Sequence, residues 1–250
     1  NDAFGEFLED TLIANNINTE LMFKLNDHNT TFAFVSLMKD GERDFEFARD
    51  ADEYLPFEYI EKELDRFDLF HFGSATAFLD GQLKETYYKI KDYALKNNKL
   101  ISFDANYRDA LFGDKQEVFI NCCKEFIADS DIVKLSDEEA MLISGMENIE
   151  EAARAIVNLG CKNLIVTLGK LGAFLTTKEM QVLVPTKEIE MTTGAGDAFI
   201  GAVLAQILNE PDKSIVEIVK LANVVGGLTT TRIGALESIP TWNEVFEYIK

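Results

Sequence analysis

The sequence predicts an α/β fold in which a parallel β-sheet is covered by helices on both faces. The first observation is that short apolar segments alternate with helical patterns through the middle of the chain. The apolar segments are 69–72, 100–103, 132–135 and 164–168, and the helical patterns are roughly 57–66, 80–97, 114–128, 137–144 and 150–159. This alternation is typical of βαβ units, whose strands are buried on both faces and therefore form continuous apolar runs. The second observation is a glycine-rich turn, 194–197, directly before a further apolar helix.

Two elements precede this alternation. Apolar residues at helical spacing predict a helix within 1–16. Period-two alternation over about 31–49, on both sides of an Asp40-Gly41 turn signal, predicts a β-hairpin with one apolar face. That face is predicted to carry four aromatic residues: Phe32, Phe34, Phe45 and Phe47.

The C-terminal part adds a second hairpin and three helices. The hairpin is predicted over 173–185, and the helices over 198–208, around 214–228 and after Pro240. No internal repeat or interdomain linker is visible. Residues 1–250 are therefore predicted to form one domain.

Composition restricts the classes of function. The formal net charge is −20, from 44 acidic and 24 basic residues, which argues against nucleic acid and an anionic membrane surface as partners. The three cysteines, Cys122, Cys123 and Cys161, lack the spacing of a zinc site and are expected to be reduced core thiols. No apolar run reaches membrane-spanning length, and we expect a soluble cytoplasmic protein.

Polar or glycine-rich turns follow each predicted strand. Ligands bind beyond the carboxyl ends of the strands in open α/β sheets, so we expect these turns to meet at one edge of the sheet. They are Gly73-Ser74, 104–108, 136–139, 169–172 and 194–197. Their convergence predicts one ligand site built from residues far apart in sequence.

The turn Gly194-Ala195-Gly196-Asp197 is the strongest candidate for chemistry. Small residues at a helix start let backbone N–H groups approach an anion, and the helix dipole adds attraction. A carboxylate beside a phosphate is repelled, unless it serves as the base for an attacking hydroxyl. We therefore predict phosphoryl transfer, with Asp197 as base and the N–H groups of 194–196 as the anion hole. The alternative is a tight turn with Asp197 as an ordinary helix N-cap.

Three other turns each allow a functional and a structural interpretation. Asp104, Asn106 and Arg108 either bind substrate hydroxyls or phosphate, or form a solvated loop. Ser136 and Glu139 have the spacing of a capping box, and Glu139 is also predicted to orient water on Mg²⁺. The segment 167–172 is either a nucleotide-phosphate loop with Lys170 as its cation, or a plain hairpin turn.

Together these motifs resemble the ribokinase-like, or phosphofructokinase-B type, carbohydrate kinases. The match covers nearly the whole chain and is carried above all by 192–199, the family's C-terminal signature. Within the family the chain is most similar to fructokinases, through segments that include 41–45, 71–74, 102–108 and 134–139. The resemblance implies a doubly wound, Rossmann-like α/β/α fold in three layers, with a small β-sheet lid at about 31–49.

The resemblance also implies a reaction and its ligands: ATP with Mg²⁺, and D-fructose converted to fructose 6-phosphate. The implied nucleotide-binding residues are Lys134, Ser136, Thr167, Gly169, Lys170, Gly172 and Asn223. A K⁺ site beside Thr193 is implied as well. The lid is expected to cover the sugar, to pair with a second lid in a homodimer, or both.

Two departures from the family pattern qualify this prediction. Met191 stands where the family usually has Asp, and a thioether is a poor ligand for a hard cation. Either the cation site is altered, in which case we expect weak activation by K⁺, or residues are missing just before Thr192. The family's N-terminal part, which grips the sugar, is absent from this sequence. The acceptor therefore stays open among fructose, 2-keto-3-deoxygluconate, ribose and a nucleoside. A catalytically weak sugar- or nucleotide-binding protein is the remaining alternative.

Overall fold

The computed structural model describes residues 1–37, 43–186, 195–232, 234 and 236–249. The Asp40-Gly41 turn and the residues Met191, Thr193 and Gly194 lie outside this part of the chain. The described residues form two compact units, Asn1–Phe126 and Ile127–Lys250.

The first unit contains four strands. Its helices are α1 (Ala3–Ala14), α2 (Phe57–Ile60), α3 (Gln82–Lys96), α4 (Asp109–Phe112) and most of α5 (Gln116–Ala128). Its strands are β1 (Phe32–Leu37), β2 (Arg43–Ala48), β3 (Leu69–Gly73) and β4 (Leu100–Asp104). Strands β1 and β2 form a separate antiparallel pair, whereas β3 and β4 pair in parallel, as the βαβ pattern predicts.

The prediction of a single apolar face on the hairpin is wrong. Phe34 pairs with Glu46 and Ala33 pairs with Phe47, so Phe47 lies on the opposite face from Phe34. Phe32 and Phe34 stack with their ring centroids 5.9 Å apart, and Phe32 also meets Phe4 of α1. The alternation within each strand was predicted correctly. Which side chains of the two strands share a face depends on the strand register, because a slip of one residue moves every side chain of a strand to the other face.

The second unit contains the strands β5 (Ile132–Ser136), β6 (Asn163–Thr167), β7 (Ala173–Thr176) and β8 (Gln181–Val184). The pair β5–β6 is parallel, and β7 and β8 follow antiparallel, which confirms the second predicted hairpin. Its helices are α6 (Asp137–Ser144), α7 (Ile149–Val157), α8 (Ala195–Asn209), α9 (Ile215–Thr229) and α10 (Trp242–Ile249). Helix α8 begins within the glycine motif, three residues before the predicted start, so Ala195, Gly196 and Asp197 lie in its first turn.

Candidate active site

The start of α8 carries the residues predicted for phosphoryl transfer. Ala195 is the first helical residue, Gly196 follows, and Asp197 is the third. Asp197 is exposed, whereas Ala198 and Phe199 directly after it are buried. Because Asp197 lies inside the first turn, its interpretation as the N-cap is wrong. A carboxylate at this position still interacts favourably with the helix dipole.

Helix α8 is held firmly because its apolar residues pack against α9. Ala202 and Val203 are buried in the same cluster as Val219 and Ala222 of α9. The first N–H groups of an α-helix have no partner within the helix, so a fixed helix start presents fixed donors. A helix start of this kind is suited to an oxyanion, and the anion hole stays a prediction.

A buried lysine lies beside this turn. Lys134, in the middle of β5, is only 7% exposed. A Cβ atom added to Gly196 would lie 3.0 Å from Lys134 Nζ, so a larger side chain there would displace the ammonium group. The ammonium and the positive end of the α8 dipole occupy the same region, where a negatively charged ligand would stabilise both.

The predicted nucleotide loop is built on a close backbone contact. Gly169 to Leu171 form a turn of 3₁₀ helix, and both Gly169 and Lys170 are exposed. Gly172 has a φ of +99°, and a Cβ atom there would lie 2.3 Å from Val184 O. Only glycine fits this position, because the conformation and the contact each exclude a side chain.

Two other predicted nucleotide residues are bonded to the protein backbone. Asn223 is 2% exposed, and its Nδ2 donates to Val184 O at 2.8 Å. Thr167 Oγ1 donates to Leu135 O at 3.3 Å. These bonds give both side chains a structural task at the strand ends, and direct contact with a nucleotide stays a prediction for each.

The capping box at α6 is confirmed. Glu139 N donates to Ser136 Oγ at 3.1 Å, and Ser136 N donates to Glu139 Oε2 at 2.8 Å. Ser136 pairs with Thr167 in the sheet, so two of the predicted strand-end turns lie side by side in this unit. Glu139 as a residue is 8% exposed, and its carboxylate is held by the capping bond from Ser136 N.

In the first unit, the turns after β3 and β4 also meet. Gly73 pairs with Asp104, and Ser74 N donates to Asp104 O at 3.1 Å. Ser74 Oγ donates to Ala105 O. The convergence of turns is thus confirmed for this pair, while the meeting of all five turns stays a prediction.

The segment after β4 holds its polar residues in a constrained backbone. Asn106 has a φ of +43°, which is uncommon for a residue other than glycine and concentrates at functional sites. Arg108 donates from its guanidinium to Tyr107 O at 2.9 Å. The Tyr107 ring packs against Phe119, and burial raises the pKa of its phenol. Aromatic packing therefore fixes the loop that carries Asn106 and Arg108.

Sequence reasoning missed one residue that shapes the site. A Cβ atom on Gly226 of α9 would lie 3.2 Å from Ala195 O, so this glycine lets α9 approach the start of α8 closely. The sequence signal for this close approach is the pair of adjacent glycines, Gly226 and Gly227, within an apolar helical pattern.

Carboxylates are the side chains that would bind Mg²⁺ in this protein. Within the described ranges, no group of three or more His, Cys, Asp and Glu residues has the arrangement of a metal site. Magnesium at nucleotide sites keeps several waters and uses one or two carboxylates together with phosphate oxygens. The single fixed carboxylate of Glu139 fits that mode, in which water separates the protein from the ion.

Comparison with known proteins identifies the class. The model of the pfkB family carbohydrate kinases matches residues 1–242, and the chain belongs to this family. It is an ATP-dependent carbohydrate kinase with the ribokinase-like α/β fold, a central mixed sheet flanked by helices and a separate small antiparallel sheet. None of the helices within the described residues is long and apolar enough to cross a membrane.

The chain is similar along its whole length to several named carbohydrate kinases. Fructokinase-1 of Zea mays is 33% identical over 260 residues, which cover all of this chain and 80% of that protein. The crystal structure of fructokinase from Vibrio cholerae O395, with fructose, ADP and calcium bound, matches all of this chain and 83% of its own, with 28% identity and a TM-score of 0.87. A putative ribokinase II from E. coli, in complex with ATP and Mg²⁺, matches all of this chain and 80% of its own, with 27% identity and a TM-score of 0.88.

Proposed function

We propose that this kinase transfers the γ-phosphoryl group of ATP to D-fructose and produces fructose 6-phosphate and ADP. The observation that carries the proposal is the exposed Asp197 in the first turn of α8, directly after Gly196, beside which the ammonium group of Lys134 lies. The fructokinase relatives support the choice of acceptor.

Asp197 acts as the general base in this proposal. Its carboxylate accepts the proton of the sugar's primary hydroxyl as the new O–P bond forms and the bond from the γ-phosphorus to ADP breaks. A weak base is sufficient, because phosphoryl transfer depends mainly on positioning and on neutralising charge. In this proposal the negative charge of the transferred phosphoryl group is neutralised by the N–H groups of Gly194, Ala195 and Gly196. The ammonium group of Lys134 contributes as well.

The remaining predicted residues bind the substrates. We assign Asp104, Asn106 and Arg108 to the sugar, because the left-handed backbone at Asn106 and the packed Tyr107 hold this loop in one conformation. Ser136, Thr167, Gly169, Lys170, Gly172 and Asn223 are assigned to the nucleotide side.

Glu139 is assigned to Mg²⁺ through water, and the ion supplies charge neutralisation for the phosphates when bound. A monovalent cation beside Thr193 is part of the same proposal. Thr193 and Met191 lie outside the described residues.

The decisive variant is Asp197→Asn. We expect kcat to fall by at least about 10³-fold, or about 4 kcal/mol of transition-state stabilisation, while ATP affinity changes little. Asn preserves the size of the side chain and removes only the basic carboxylate. Asp212→Asn, an exposed aspartate after α8, is the matched control and should leave kcat unchanged. Turnover of Asp197→Asn close to that of the parent protein would show that this carboxylate only interacts with the helix dipole.

The acceptor is tested separately by measuring ADP release against a panel of fructose, ribose, 2-keto-3-deoxygluconate and a nucleoside. We expect the highest kcat/KM with fructose. A higher value with another member of the panel would reassign the acceptor within the family. Nucleotide binding without turnover on any acceptor would favour a binding protein.

A further inference from the structure

The Gly73-Ser74 turn at the end of β3 is assigned no ligand in the proposed function. Ser74 is 0% exposed, so its hydroxyl is not presented to a substrate. The turn nevertheless lies beside the loop after β4, because Gly73 pairs with Asp104 in the sheet. That loop carries Asn106 and Arg108, two of the side chains assigned to the sugar.

Ser74 binds two consecutive carbonyl groups of this loop. Its backbone N–H donates to Asp104 O at 3.1 Å, which extends the backbone pairing of β3 and β4 past Gly73. Its hydroxyl donates to Ala105 O, and Ala105 is also 0% exposed. A buried carbonyl that loses its donor is destabilising. The hydroxyl of Ser74 therefore holds the chain just past the point where the pairing of the two strands ends.

This hydroxyl acts on Asn106 through one peptide group. The carbonyl of Ala105 and the N–H of Asn106 belong to the same planar unit, so a bond to Ala105 O also fixes the plane that leads into Asn106. The φ of Asn106 is +43°, in the left-handed region, where a residue with a Cβ atom is strained. Such strain persists only where surrounding contacts hold the backbone. On the far side of Asn106, Tyr107 provides one of these contacts by packing on Phe119.

We propose that Ser74 is a positioning residue for the sugar, whose hydroxyl holds the peptide between Ala105 and Asn106 in the conformation that binds the acceptor. The inference rests on the proposed function, in which Asn106 and Arg108 bind the sugar. Ser74 holds the loop before the sugar arrives, so its loss weakens sugar binding and leaves the transfer step itself intact. The residues assigned to the nucleotide all belong to the second unit, so ATP binding should be unaffected.

The test compares Ser74→Ala with Ser102→Ala in the full chain. Ser102 on β4 is also 0% exposed, and its Oγ shares a hydrogen bond with His71 Nδ1 at 3.1 Å. Its replacement removes a buried hydroxyl from the same sheet without removing a bond of the loop. We expect Ser74→Ala to raise KM for fructose by about tenfold, the loss expected for one hydrogen bond. Its kcat and its KM for ATP should stay within about twofold of the parent values.

The control separates positioning from stability. Ser102→Ala should lower Tm by about as much as Ser74→Ala, because each change removes one buried hydrogen bond, but it should leave KM for fructose unchanged. An unchanged KM in Ser74→Ala, or an equal rise in Ser102→Ala, would overturn the proposal.

Two conservative variants test the hydroxyl itself. Ser74→Thr keeps the donor to Ala105 O and should restore KM for fructose to within about threefold of the parent value. Because the added methyl group enters a closely packed site, Ser74→Cys is the second check. Its thiol is a weak donor, so its KM should lie between those of the parent and Ser74→Ala. If both variants were as impaired as Ser74→Ala, the space would matter instead of the hydroxyl, and the proposal would be wrong.

The same measurements distinguish this inference from the proposed function. If the parent protein turned over none of the acceptors in the panel, the proposed function would fail. If the parent phosphorylated fructose and Ser74→Ala had the same KM, only the role of Ser74 would fail. Should another member of the panel be the better acceptor, the KM comparison is made with that acceptor, and the expected rise is the same.

Discussion

The two units have cores of different chemistry. In the first unit, the buried residues Phe72, Phe78, Phe103 and Phe126 form one set of ring contacts, with centroids 5.0–5.8 Å apart. In the second unit, the buried cluster around α8 and α9 consists, among the described residues, of Ala, Val, Ile and Leu with Phe199 as its one aromatic member. Both cores exclude water, but they position their polar turns differently.

This difference follows the two tasks proposed for the units. Interlocking rings fill a large volume and fix the loop after β4, where Tyr107 packs on Phe112 and Phe119. The core of small residues instead allows two backbone segments to approach each other at glycines. The backbone of Gly172 lies close to Val184 O, and that of Gly226 lies close to Ala195 O. The aromatic core therefore supports the side chains proposed to bind the sugar, and the aliphatic core supports the backbone donors proposed to bind phosphate.

The largest structural effect is expected from removing the central ring of the aromatic core. Phe126→Ala should lower the free energy of unfolding by about 3–5 kcal/mol through the cavity it leaves, with a further loss from the broken ring pairs. Phe199→Ala is the matched change in the aliphatic core, because Phe199 is equally buried and has no ring contact within the described residues. Denaturant unfolding followed by circular dichroism measures both. If Phe126→Ala lost no more unfolding free energy than Phe199→Ala, the ring contacts would not be important for stability.

A smaller effect is expected from blocking a backbone approach in the second unit. Gly172→Ala should cost at least about 2 kcal/mol of unfolding free energy and raise KM for ATP, because Cβ would meet Val184 O in a left-handed backbone. Gly201→Ala in α8 is the control, since no atom lies within 4 Å of its added Cβ. That variant should gain about 0.5–1 kcal/mol from helix propensity. Equal tolerance of both changes would show that the contact at Val184 is unimportant.

The smallest effect concerns α10, which lies in the second unit. Hydrogen bonds from Arg232 and from Thr241 N lower the pKa of the half-buried Glu244 from 4.5 to about 2. A carboxyl whose folded pKa is lowered stabilises the fold above its unfolded pKa, and this contribution is lost as the pH falls. We therefore expect the fluorescence of Trp242, the only tryptophan, to change between about pH 4.5 and 2. Glu244→Gln should abolish this component, and persistence of the change in that variant would assign it to another group.

Much of the architecture was predictable because local periodicity encodes it. The βαβ alternation, both hairpins and the capping box at Ser136 and Glu139 depend on residues close in sequence, and each was confirmed. The glycine motif was also recognised, although the start of α8 was placed three residues late, because Gly and Asp are poor helix formers and packing on α9 overrides their propensity.

The sequence by itself determined the fold class, the family and the residue types available for phosphoryl transfer. The tertiary structure decided the faces and the contacts. In the folded chain, Phe47 lies on the other face of the hairpin from Phe34, and Lys134 lies next to Gly196. The side-chain amide of Asn223 donates a hydrogen bond to Val184 O. The physical reason is that strand register and helix packing join residues far apart in the chain, and no local pattern carries that information.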